Sequence, residues 1–194
     1  MISVFHLHYD IFCLSTKEMA MERGDLKFRD LNMTFVECVD LKQTEICFAL
    51  RHKIYCEDLM YEVQNEEKLE FDTFDGEARH FLIQNDKVNI GCFRIVPNGT
   101  PHLTQRVDAK GAFEISRFII DYEFRHPEVL SNVVKNFPDL VNRLGLYPSY
   151  MVMEARFARF IKSKGIKIKK TSPYFELNGM RAAYLYDHLE YCAS

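Results

Sequence analysis

Residues 112–120 read AFEISRFII. Alternation along an extended chain puts Phe113, Ile115 and Arg117 on one face and Glu114, Ser116 and Phe118 on the other. The run is apolar, yet it pushes a charge toward each face. If such a strand lies centrally in a sheet, its ions must be paired, because an uncompensated charge in a low dielectric is costly.

Upstream of it, HFLIQ (80–84) and NIGCFRIV (89–96) are strand-like runs joined by the polar turn NDKV (85–88), which reads as a hairpin. Further upstream, Asp40 can cap a helix through LKQTEICFALRHKIYCEDL (41–59), with Ile46, Leu50 and Ile54 on one stripe. The acidic stretch EVQNEEKLEFDTFDGEA (62–78) connects the two. Downstream, a helix opens near Pro127 and ends near Gly145, and YPSYMVM (147–153) is a short strand. EARFARFIKSK (154–164) is a helix with Phe157, Phe160 and Ile161 inward and Arg156, Arg159 and Lys162 outward, closed by Gly165. IKIK (166–169) alternates as a strand, and MRAAYLYDHL (180–189) is a last strand or short helix. Helices alternating with strands around a hairpin predict an α/β arrangement with a mixed sheet.

At 194 residues the chain fits one domain, with its motifs between about 40 and 187. Such a chain buries about 70% of its surface and needs no staples. The composition, 47% hydrophobic and 27% charged, excludes disordered and fibrous classes. A net charge of -3 argues against nucleic acid as partner. Its distribution is uneven: from Ala155 to Phe175 there are seven basic residues and no acid, leaving 18 basic against all 28 acidic residues elsewhere. One positive face on an acidic body suits an acidic partner or an anionic ligand. The cysteines at 13, 38, 47, 56, 92 and 192 have no zinc-knuckle or redox-pair spacing, and the histidines show no H-x-x-H or H-E-x-x-H, so no metal is expected. The first 14 residues, MISVFHLHYDIFCL, lack the basic start of a signal peptide and carry His6, His8 and Asp10; a cytoplasmic chain without a membrane span is expected.

Three motifs carry charge into strand patterns: E-F-D-x-F-D (Glu70, Asp72, Asp75), G-x-x-R-I-x-P (Gly91, Arg94, Pro97) and E-x-S-R-F (Glu114, Ser116, Arg117, Phe118). Asp72 and Asp75 are the expected partners of Arg94 and Arg117. With L-R-H-K-I-Y (50–55) ahead of them, these motifs resemble the acyl-homoserine-lactone synthases, which have the GNAT-type acyltransferase fold. M-E-A-R-F-A-R-F-I-K-S-K-G-I-K-I and F-E-L-N-G-M-R are more similar to the long-chain N-acyl amino acid synthases and the acyltransferases associated with exosortase sorting systems. The resemblance spans roughly 48–186.

The resemblance implies a single-domain GNAT-type fold whose central sheet is flanked by helices, with a cleft between two splayed strands, one opening after Phe118 and the other at 149–153. It implies transfer of a long-chain acyl group from acyl carrier protein to the α-amine of an amino acid, tyrosine by resemblance, the acyl-phosphopantetheine being the donor and no cofactor resident. The alternatives are an acyl-homoserine-lactone synthase using S-adenosylmethionine and a non-catalytic carrier-binding module. Lactone synthases place a tryptophan where Tyr61 stands, and this chain has none. GNAT enzymes that use coenzyme A follow the central strand with a glycine-rich phosphate cradle, whereas residues 119–131, IIDYEFRHPEVLS, contain no glycine.

Carried over by position, Arg51, Tyr55, Tyr61, Asp72, Asp75 and Arg94 bind substrate, and Glu114, Ser116 and Arg117 are catalytic, Glu114 as general base with its proton affinity set by Arg117. Phe81, Phe93, Phe118, Met151 and Met153 are expected to line an acyl tunnel. Arg156, Arg159 and Lys162 are expected to meet acyl carrier protein, and the chain to act as a monomer.

Overall fold

The computed structural model describes residues 32–186. Strand β1 (Met33–Glu37) is followed by helix α1 (Leu41–Arg51), the hairpin β2 (Arg79–Asn85) and β3 (Val88–Pro97), and a short helix α2 (Pro101–Thr104). Then come β4 (Phe113–Ile120), α3 (Pro127–Arg143), β5 (Ser149–Glu154), α4 (Ala155–Ser163), β6 (Lys169–Lys170), β7 (Phe175–Glu176) and β8 (Met180–Tyr186). The eight strands form one open mixed sheet in the order β1-β2-β3-β4-β5-β8-β6, with β7 also on β8. All pairings are antiparallel except β4 with β5.

Local chemistry accounts for the elements. The Asp40 carboxylate accepts the Gln43 N–H at 2.8 Å and caps α1. Beyond Arg51 the helix widens into a π-helical turn (His52–Asp58) that keeps Ile54, Tyr55 and Cys56 buried. The hairpin closes through Asp86 and Lys87, both at positive φ (47° and 68°), the two-residue turn whose twist matches paired strands. IKIK does alternate, with Ile166 and Ile168 buried, but only Lys169 and Lys170 enter the ladder. Of 180–189, residues 180–186 are strand and the rest lie outside the described residues, as do His6, His8, Asp10, Cys13 and Cys192.

The reading of β4 needs one correction. Arg94 pairs with Ser116 and Cys92 with Ile119, so Arg117 and Phe118 together oppose Phe93 alone. This is a β-bulge, and Arg117 takes the left-handed conformation (φ 53°) at its centre. The extra residue reverses the alternation. Arg117 joins Glu114, Ser116 and Ile119 on the face covered by α1, whereas Phe118 joins Phe113, Ile115 and Ile120 on the face covered by α3 and α4. The larger core lies on the second face, where Val133 and Val141 of α3 and Ile161 of α4 meet Phe93, Ile95 and Ile115.

A second correction concerns where the strands part. β4 and β5 pair only at Phe113 with Ser149 and Glu114 with Tyr150, and then diverge. The split therefore begins at Ile115, earlier than expected, and opens a passage through the middle of the sheet.

The bulge leans on Gly91. A Cβ there would stand 2.2 Å from the Ile119 carbonyl oxygen. Gly91→Ala is therefore expected to cost about 3 kcal/mol or more in urea unfolding, since backbone must move to admit the methyl; a loss below about 0.5 kcal/mol would show that the bulge is soft.

Candidate active site

The loop between α1 and β2 delivers carboxylates onto the α1 face of the sheet. Asp75 accepts from Arg51 Nη1 at 2.7 Å and Nη2 at 3.0 Å, and from Arg94 Nη1 at 2.7 Å. Arg94 also reaches both Asp72 oxygens, at 2.6 and 2.8 Å, and its Nε donates to Ser116 Oγ at 3.2 Å. Arg51 Nε donates to Glu70. Arg51 and Arg94 are 1% and 3% exposed, so these pairs stand in a low dielectric where every charge needs its partner.

Arg117 completes the cluster from the bulge. Its Nη2 lies 3.1 Å from Glu70, 3.2 Å from Asp72 and 3.6 Å from Glu62, and its guanidinium stands 5.2 Å from the centre of the Tyr55 ring. The expectation that Asp72 and Asp75 serve both cations holds for Arg94; Arg117 takes Asp72 but has Glu70 and Glu62 instead of Asp75. The signal for Glu70 was the first letter of the E-F-D motif; nothing in the sequence pointed to Glu62.

Burial alone would raise the Asp75 carboxyl, but hydrogen bonds from Arg51 and the charges of Arg51 and Arg94 outweigh it and hold it at about 2. Asp72 is likewise raised by burial but brought below the ordinary carboxylate range by Arg94. Glu114 behaves oppositely. It is 3% exposed, and burial pushes its carboxyl up despite the 2.6 Å hydrogen bond it accepts from the Thr100 N–H. Its partner is thus the turn before α2 and not Arg117, and it stands off the cavity described next.

A cavity of about 130 Å³ passes through the split between β4 and β5. On the α1 face its walls include Tyr55, Ser116, Arg117, Val152, Glu154 and Arg181. On the opposite face they are apolar: Phe118, Val134, Phe137, Met153, Phe157 and Ile161. The register explains this. Glu114 pairs with Tyr150, so Val152 and Glu154 share its face, whereas Met151 and Met153 point the other way. Of the expected tunnel residues Phe118, Met151 and Met153 line the cavity. Phe81 and Phe93 do not: their rings stack at 5.0 Å in the closed core, both 1% exposed. Tyr61 packs beside Tyr55, its N–H on the Tyr55 carbonyl at 2.8 Å. Arg156, Arg159 and Lys162 are exposed along the outer face of α4.

Residues 50–135 match the acetyltransferase (GNAT) domain family. The fold has counterparts among solved structures. BjaI, a CoA-dependent acyl-homoserine lactone synthase solved with SAM and isopentyl-CoA, superposes with a TM-score of 0.67 at 15% identity, over 84% of this chain and 87% of that one. The fold is the GNAT acyltransferase fold. FeeM, an N-acyl amino acid synthase from uncultured soil microbes, shares this GNAT architecture with a TM-score of 0.60 at 11% identity, over 84% and 95% of the two chains. In sequence the chain is similar to an acyl-homoserine-lactone synthase of Vibrio anguillarum, 26% identical over an alignment of length 141 that covers 62% of this chain and 72% of that protein. Among the described residues no group of His, Cys, Asp and Glu side chains is placed to hold a metal ion, and no helix is long and apolar enough to cross a membrane.

Removing Arg94 leaves Asp72 without its bidentate partner and Asp75 with one cation in place of two. Arg94→Ala is expected to cost about 3 to 5 kcal/mol near pH 7. Asp75 is held below its ordinary 3.8, so its contribution is complete above about pH 4 and disappears as pH falls toward 2. The gap between wild type and variant should therefore close over that window in urea titrations; a gap independent of pH would place the cost elsewhere than in the carboxylates.

Proposed function

We propose that this protein transfers an acyl group from a thioester to the α-amine of an amino acid. The observation that carries this reading is the two-faced cavity: charged groups on one side of the sheet, an apolar bore on the other, and a split in the sheet where they meet. A fatty acyl chain gains by leaving water for the bore between α3 and α4. An α-amino acid, charged at both ends, is accommodated on the face that holds Arg117, Glu154 and Arg181.

The amine nitrogen attacks the thioester carbon, the C–S bond breaks, and one amine proton ends on the departing thiolate, giving amide and thiol. A chain-terminal α-amino group titrates near ~7.7 to 8.0, and in a free amino acid the adjacent carboxylate holds the ammonium proton more tightly, so attack at pH 7 needs a side chain or a bound water to take that proton. Past Glu114 the edge of β4 has no partner on β5. Its backbone N–H groups are available to the pantetheine arm and to the oxyanion of the tetrahedral intermediate. Ser116 and Arg117 stand at that point of the wall.

The turn between β4 and α3 supports acyl carrier protein as the donor. Asp121 occupies it, its carboxylate on Lys53 Nζ at 2.8 and 3.0 Å and on the Glu123 N–H at 3.4 Å. Helix α3 then opens with Pro127, which has no N–H, while the Glu128 N–H is directed at the His126 ring at 3.4 Å. A diphosphate would meet a carboxylate and few amides there. A carrier protein instead presents one phosphate and an acidic surface, to which Arg156, Arg159 and Lys162 are complementary.

The relationship to a lactone synthase favours a second reading, in which S-adenosylmethionine is the acceptor and its acylated product closes to a lactone. One assay separates the readings. Acylated carrier protein is offered with the twenty amino acids and S-adenosylmethionine, and products are identified by mass spectrometry. An N-acyl amino acid is expected, formed faster from carrier protein than from acyl-CoA, with an apparent KM for carrier at least about tenfold higher after Arg156, Arg159 and Lys162 are reversed to Glu. Acyl-homoserine lactone would favour the second reading, no acylated product would defeat both, and preference for acyl-CoA would defeat the donor assignment.

A further inference from the structure

The three arginines of the charge cluster are met by four carboxylates, and Arg117 alone has Glu62, Glu70 and Asp72 within 3.6 Å. Its Nε lacks an acceptor among the described residues, but its charge is compensated. Across the split stands a fourth arginine, whose ion pair is longer. Arg181, on β8, is the register partner of Glu154, the last residue of β5. Both side chains line the cavity from the α1 face and are one-fifth exposed, at 19% and 20%.

The Arg181–Glu154 pair is loose. Nη2 is 3.8 Å from Glu154 Oε1, beyond hydrogen-bond range, and spends its bond on the Asn178 carbonyl at 3.3 Å. The Nε–H is buried and has no acceptor among the described residues. A guanidinium offers a fork of donors matched to a carboxylate, and this one lines the cavity with only its Nη2 engaged in a hydrogen bond among the described residues.

We infer that Arg181 binds the α-carboxylate of the acceptor and so determines that the amine acylated belongs to an amino acid, with Glu154 holding the guanidinium toward the cavity. The assignment rests on the acyltransferase reading above and adds the acceptor's anchor to it. A carboxylate on Arg181 places the amine, one carbon away, toward the split where the thioester carbonyl lies. An amine without the carboxylate leaves the guanidinium unsatisfied and its own position unfixed, which is a strong basis for rejection. S-adenosylmethionine carries the same α-amino carboxylate, so the anchor serves either acceptor.

The test compares the accepted amino acid with its carboxamide and its decarboxylated amine, or S-adenosylmethionine with its decarboxylated form. Wild type is expected to favour the carboxylate-bearing acceptor by at least about a hundredfold in kcat/KM, and Arg181→Gln to lower that ratio at least about tenfold, chiefly through acceptor KM. Arg181→Lys keeps the charge without the fork and should fall between; it also serves if the glutamine variant does not fold. A wild type indifferent to the carboxylate, or a variant in which all acceptors lose rate in proportion, would overturn the assignment and leave the acyltransferase reading intact. Failure of the wild type to acylate any amine would overturn that reading itself.

Discussion

Asp75 holds two guanidiniums on one carboxylate, Arg51 from helix α1 and Arg94 from strand β3. Each cation has a second acid, Glu70 for Arg51 and Asp72 for Arg94, but Asp75 joins the two, so neither strand nor helix can shift without parting a buried ion from its partner. The same carboxylate accepts the Asp72 N–H at 2.6 Å, which fixes the loop that carries Glu70 and Asp72 across the sheet. Those two acids in turn fix Arg117. Through Asp75 a helix, a loop and two strands are tied to one geometry, and the charged face of the cavity is a consequence of it.

The second constraint is covalent geometry. A bulge at Arg117 turns both Ser116 and Arg117 toward the charged face while sending Phe118 to the apolar one. Without the extra residue strict alternation would place Arg117 among the buried apolar side chains under α3. The left-handed backbone of a non-glycine residue costs of order 1 kcal/mol, and the ion pairs of Arg117 together with the close approach permitted by Gly91 hold it in place. Beside the bulge, β4 and β5 separate after two pairs, so the sheet itself has a polar and an apolar mouth.

Much of this was legible in the residues. The Asp40 cap, the Asp86–Lys87 hairpin and the inward stripe of α4 follow from local chemistry and periodicity, and the ordered charge motifs located Arg51, Asp72, Asp75 and Arg94. What failed did so for identifiable reasons. Period-two reading has no means of seeing a bulge, so it sent Arg117 and Phe118 to the wrong faces. Phe81 and Phe93 have the composition of a tunnel lining, but pairing between β2 and β3 stacks them in the closed core. Glu114 was expected to have its proton affinity set by Arg117, yet its carboxylate is taken by the Thr100 N–H, which only the turn before α2 brings near. β1 (MTFVE) is too short and mixed to stand out before its partner β2 is known. Glu154 and Arg181 lie 27 positions apart and become neighbours only through the register of β5 with β8.

The proposed transfer requires an acyl thioester to thread the split with its chain on the apolar face. A crystal structure with a non-hydrolysable long-chain acyl-pantetheine tests this most directly. The pantetheine arm is expected along the free edge of β4, the carbonyl beside Ser116 and Arg117, and the acyl carbons against Phe118, Met153, Phe157 and Ile161. An acyl chain lying on the α1 face, or outside the sheet along α4, would contradict it.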